Sequence, residues 1–144
     1  MTPVQKHTIR ITWQRVGAIG DAAAALFYER LFEVDPSLRP LFAKTEMTAQ
    51  RGKLLQALAL VVASLDRLET LVPILEQLGR RHVSYGVRKQ HYQSVGSALL
   101  WTLERGLGAD WTREAEEAWA QAYALVSGIM SAAAEQASEP IAAD

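Results

Sequence analysis

Apolar residues recur at three- and four-residue spacing along almost the whole chain, and no segment alternates apolar with polar beside a hairpin turn. This periodicity confines the 144 residues to an all-α architecture. One stripe is Ile19, Ala23, Leu26, Phe27 and Leu31. A second is Leu54, Leu58, Val61, Val62 and Leu65. Leu71, Leu75, Leu78 and His82 form a third, and Val95, Leu99, Leu100, Leu103 and Leu107 a fourth. The last is Trp119, Ala122, Tyr123, Val126, Ile129 and Met130. Thr8 to Thr12 is β-branched, yet it adjoins Trp13 and Val16 at helical spacing.

The breaks between stripes carry the chemistry of helix ends. Asp35-Pro36 pairs a capping carboxylate with proline at a first helical position. Thr70 with Pro73 predicts another start, and Gly86 followed by Arg88-Lys89 an end. Gly106 and Gly108 stop the fourth stripe, and Thr112 caps the last helix. Seven helical pieces are predicted, over 3–17, 19–34, 36–42, 48–66, 71–85, 89–106 and 112–135. Residues 1–136 are read as one domain and 137–144 as a flexible tail.

Composition removes several classes of function. There is no cysteine, which excludes disulfides, thiolate metal sites and a cysteine nucleophile. The net charge of -1 predicts no nucleic-acid partner and no anionic membrane surface. No apolar run reaches the roughly 18 residues of a membrane span, and the N-terminus lacks the apolar stretch of a secretory signal. A cytoplasmic protein, monomeric by default, is the expectation.

In a helical chain, function shows as polar residues on apolar stripes. Three stand out: Tyr28 beside Phe27, Gln50 one turn before Leu54, and His82 at the end of the Leu71–Leu78 row. An imidazole facing an apolar slot favours its neutral form, which is the form that binds a metal. The same position also suits a core histidine satisfied by one hydrogen bond, and both readings stand at this point. His91 follows His82 by nine residues, which at about 100° per residue puts the two on opposite faces of one helix. His7 has no ligand partner nearby. No His-Glu-x-x-His and no Gly-rich phosphate loop occurs. A lone histidine suits a prosthetic group that brings its remaining ligands with it, as haem does.

Several fragments carry a resemblance: Trp13-Gln14-Arg15-Val16, Leu26 to Phe32 followed by Pro36 and Leu41-Phe42, and Gln50 with Leu54. Leu78 to Val87, His91 to Gly96, and Ala118 to Tyr123 continue it. In this order and spacing the chain resembles a globin. It is most similar to bacterial single-domain globins related to the haem domain of flavohaemoglobins, over roughly residues 5–136.

The resemblance implies haem b as cofactor, with His82 as the proximal ligand of its iron. It implies that Phe42 packs on the porphyrin and that Leu54, Leu78, Val87 and Val95 line the slot. Tyr28 and Gln50 would donate hydrogen bonds to a bound ligand, with Leu54 beside them. The glutamine assignment assumes a connection after Phe42 one residue longer than in close relatives; otherwise Ala49 takes that place. Lys53 and Arg81 would meet the haem propionates at the rim. In flavohaemoglobins a tyrosine and a last-helix glutamate form a hydrogen-bonded set around the proximal imidazole. Tyr92 matches the first, and counting from Trp119 puts Gln136, with Glu135 beside it, at the second.

The implied function is reversible binding of oxygen, and of nitric oxide and carbon monoxide, for storage, supply or scavenging. The alternative is nitric oxide dioxygenation with an external reductase, since no flavin domain follows. A sensor is disfavoured because no transducer domain follows. A haem-free helical interaction module would be colourless.

Overall fold

The structure is a computed structural model that describes residues 1–138. Helix α1 spans Pro3–Ile19, α2 Asp21–Val34, α3 Met47–Ala63, α4 Leu68–Ser84, α5 Lys89–Leu107 and α6 Arg113–Ser138. Two 3-10 segments, Pro36–Phe42 and Gly108–Asp110, complete the order. No strand occurs among the described residues, and the all-α expectation holds. No helix is long and apolar enough to cross a membrane. Helix α6 reaches into the segment expected as a tail, and residues 139–144 lie outside the described residues.

Most helix ends follow the predicted chemistry. Thr2 caps α1 in a reciprocal arrangement with Gln5, and the Thr112 hydroxyl accepts from the Ala115 N–H at 3.1 Å. Asp35 accepts from the Ser37 N–H at 3.2 Å, which opens the 3-10 segment. Helix α4 differs from expectation. It begins at Leu68, and Pro73 lies inside it. The Arg67 carbonyl accepts from both the N–H and the hydroxyl of Thr70, at 2.9 and 2.7 Å. This tight turn starts the helix ahead of the proline, so the missing Pro73 N–H interrupts a helix already begun. Helix α3 correspondingly stops at Ala63, three residues short of the predicted end.

Burial divides the interior in two. A main cluster joins α1, α2, α5 and α6 through Ile9, Phe27, Leu31, Leu103 and Trp119. Inside it, the Trp119 indole N–H donates to the Thr12 hydroxyl at 2.8 Å, so a buried polar pair is satisfied. A smaller cluster of Leu71, Leu75 and Met130 holds α4 against α6. Leu68 packs on both. Where α4 crosses α6, a Cβ at Gly79 would collide with the Met130 backbone, so the two helices meet backbone to backbone.

Candidate functional site

His82 occupies the last turns of α4 and is half-buried. Its Nδ1 lies 2.7 Å from the Leu78 carbonyl oxygen. A carbonyl can only accept, so Nδ1 carries the proton and the lone pair is left on Nε2. Among the described residues nothing donates to that nitrogen. Burial pushes the imidazole below its ordinary pKa of 6.5, against a smaller upward pull from the Leu78 carbonyl. The chain turns sharply just beyond. Gly86 adopts a φ of 92°, its N–H reaches the Val83 carbonyl at 3.0 Å, and the Val87 N–H reaches the His82 carbonyl at 2.9 Å. This is a Schellman end, and it brings Val87 back beside His82.

Tyr28, from α2, is 6% exposed and lies in an aromatic group with Phe27 at 5.0 Å and Phe42 at 5.6 Å between ring centres. Phe32 packs edge-on against Phe42 at 5.5 Å. The Gln50 Nε2 donates to the Tyr28 hydroxyl at 3.1 Å. The phenol therefore accepts from Gln50 and keeps its own hydrogen to give. Burial raises its pKa, with a smaller lowering from the Gln50 bond, so it stays a phenol at neutral pH. The start of α3 sets this register. Glu46 caps the helix by accepting from the N–H groups of Thr48 and Ala49, at 3.2 and 2.7 Å. Gln50 then faces Tyr28, and Ala49 is exposed.

The remaining predicted residues divide between the two clusters. Phe42, Leu54 and Val95 lie against the main one, and Leu78 and Tyr92 against the smaller. All five are half-buried, as is Val87. Lys53 and Arg81 are exposed.

No hydrogen bond joins His82 to Tyr92 among the described residues. The His82 Nδ1–H donates to the Leu78 carbonyl, and the buried Tyr92 hydroxyl has no hydrogen-bond partner among the described residues. Tyr92 is fixed instead through its backbone carbonyl, which accepts from the Tyr123 hydroxyl at 2.5 Å. The Tyr123 ring lies across Gly96, where a Cβ would stand 2.7 Å from it. Glu135 pairs with Lys89 at 3.0 Å, and Glu135 and Gln136 are both exposed. A cleft of about 370 Å³ borders Val87, Tyr92, Ser131 and Glu135.

These residues fit haem in two ways. His82 offers one imidazole nitrogen in its metal-binding form. Half-buried apolar side chains border two separate clusters, as a flat apolar group between them would require.

The globin family profile matches residues 25–130. The chain belongs to the globin family. Among curated relatives, neuroglobin-1 of Oncorhynchus mykiss is 30% identical, covering 91% of each chain. The flavohemoprotein of Bordetella parapertussis is 34% identical over 90% of this chain, which spans only 33% of that protein. Among solved structures, a bacterial globin from Campylobacter jejuni superposes with a TM-score of 0.81 at 22% identity, over 94% of this chain and 97% of that one. The globin fold and its relation to flavohaemoprotein haem domains are thereby established.

Sequence reasoning passed over one part of this globin's site. His91, 5% exposed, accepts from the Arg88 N–H at 2.9 Å and caps α5 from inside. Its Nε2 lies 3.4 Å from the Ser37 hydroxyl. Ser37 and Ser94 donate to the two oxygens of Asp35, at 2.5 and 2.8 Å. The bonds from Ser37 and Ser94 hold the Asp35 carboxyl below its ordinary pKa. This network ties the segment carrying Phe42 to the start of α5, just after the turn beside His82. The one sequence signal was a histidine three residues into a predicted helix start.

Proposed function

We propose that this globin holds haem b through His82 Nε2 and reversibly binds oxygen, and likewise nitric oxide and carbon monoxide, in the cytoplasm of a bacterial cell. The carrying observation is the His82 tautomer: the Leu78 carbonyl takes the Nδ1 proton and leaves Nε2 as a neutral donor to a metal. Haem held there would supply a ferrous iron that takes up a diatomic ligand. The protein's part is to hold, orient and select. Leu78 fixes the imidazole plane. Phe42, Leu54, Val87 and Val95 exclude water from the slot, and Lys53 and Arg81 meet the propionates at its rim. Gln50 orients the Tyr28 hydroxyl, whose own proton points to the ligand as its hydrogen-bond donor.

The test is reconstitution with haem followed by an optical spectrum of the ferrous, oxygen-free protein. An intense violet band is expected, with ferrous carbon monoxide uptake, and His82→Ala should abolish or greatly weaken both. Colourless wild-type protein would defeat the reading.

Nitric oxide dioxygenation with an external reductase is a second reading, favoured by the flavohaemoprotein relatives. Mixing the ferrous, oxygen-equilibrated protein with nitric oxide and measuring nitrate separates the two.

A further inference from the structure

The start of α5 holds a buried histidine that the haem reading leaves without a task. His91 is 5% exposed, and both of its ring nitrogens are engaged. The Arg88 N–H donates to Nδ1 at 2.9 Å, so Nδ1 is bare and the ring proton sits on Nε2. Nε2 lies 3.4 Å from the Ser37 hydroxyl oxygen. That hydroxyl spends its own hydrogen on Asp35 Oδ1 at 2.5 Å, so toward the ring it accepts. Each hydrogen therefore has one direction: from Arg88 to His91, from His91 to Ser37, and from Ser37 to Asp35. Ser94, one turn after His91, donates to Asp35 Oδ2 at 2.8 Å and ties the far end of the run back to α5.

The two ends of this run reach the two halves of the site. Arg88 directly follows Val87, whose N–H is bonded to the His82 carbonyl at 2.9 Å. Asp35 opens the 3-10 segment Pro36–Phe42, and the Phe42 ring stands 5.6 Å from that of Tyr28. One end thus holds the turn beside the proposed iron ligand. The other holds the aromatic group around the phenol assigned to the bound gas.

We propose that His91 is a positioning residue that keeps the His82 turn and the Phe42–Tyr28 group at one fixed separation, and so sets how firmly Tyr28 meets a bound gas. The inference rests on the haem reading above. His91 acts through Arg88 on one side and through Ser37 on the other. A helix cap needs the Nδ1 bond alone, whereas a spacer needs both ring nitrogens, because it must grip at both ends.

Three variants separate the cap from the spacer. His91→Leu removes both bonds. His91→Gln places a glutamine at the third helical position, where its side chain reaches back to the N-cap N–H and restores the cap alone. Ser37→Ala cuts the other end and leaves the cap. The urea midpoint of the apoprotein should fall in His91→Leu and return toward wild type in His91→Gln. In haem-loaded protein, His91→Gln and Ser37→Ala should each speed oxygen release roughly three- to tenfold. The infrared band of bound carbon monoxide should broaden or split in both. The double variant should match either single one, since both cut the same link.

Wild-type oxygen release with an unchanged carbon monoxide band in His91→Gln would reduce His91 to a cap and overturn the proposal. Effects that add in the double variant would overturn it too. Either result in protein with a normal haem spectrum leaves the haem reading standing. Wild-type protein that takes up no haem would overturn both together. Should His91→Leu fail to fold, His91→Gln and Ser37→Ala still decide the matter.

Discussion

The phenol of Tyr28 accepts from Gln50 and has its own proton free, so its removal should be felt by whatever ligand sits beside it. Tyr28→Phe should speed oxygen release by about tenfold, the value of one hydrogen bond to a partly charged acceptor. Flash photolysis or stopped-flow displacement checks this, and an unchanged release rate would take Tyr28 out of the ligand's surroundings. His82 makes a second prediction. Burial holds its folded pKa below 6.5, so the unfolded chain takes up the proton first as pH falls. Its contribution to apoprotein stability is therefore complete above pH 6.5 and is lost as pH falls through the lowered folded value. Urea midpoints from neutral pH downward should fall more steeply in wild type than in His82→Gln. Equal slopes would show that the ring is not desolvated. Tyr28, Gln50 and His82 were legible because each breaks an apolar stripe. His91 and the second role of Asp35 were not, because each lies in a partner more than 50 residues away, Ser37 for His91 and Ser94 for Asp35. That the Tyr92 hydroxyl meets no partner among the described residues was equally hidden, since a tyrosine at that spacing reads the same whether or not it reaches one.

At the scale of elements, α4 is placed by a single close crossing. Gly79 lets its backbone meet that of Met130, one turn before His82. Gly79→Ala should force the helices apart at a cost of about 2 kcal/mol. It should also loosen haem retention, because the displaced helix carries His82, the proposed ligand. Denaturant titration of the apoprotein and the rate of haem transfer to a stronger acceptor measure the two effects. An unaltered midpoint would mean that α4 is anchored elsewhere. The order of the helices was readable from apolar periodicity alone. The start of α4 was not, because Pro73 marks a first turn in most helices, whereas here the Arg67–Thr70 turn precedes it. The segment 36–42 was rightly read as a short helix, and its two prolines give it the tighter 3-10 winding.

For the molecule as a whole, the division of the interior matters most. The larger cluster joins helices from both ends of the chain, while α4 rests on Leu71, Leu75 and Met130 and their half-buried neighbours. Without haem, amides of α4 should exchange faster than those of α2 and α5, and added haem should slow them selectively. Hydrogen-exchange mass spectrometry would show this; uniform protection in the apoprotein would mean that the smaller cluster holds α4 unaided. The attachment of α4 through α6 has a consequence for the protein's life in a cell. Copies that never receive their pigment would present a loosened segment to proteases, so the standing amount of this chain would follow the rate at which the cell makes porphyrin.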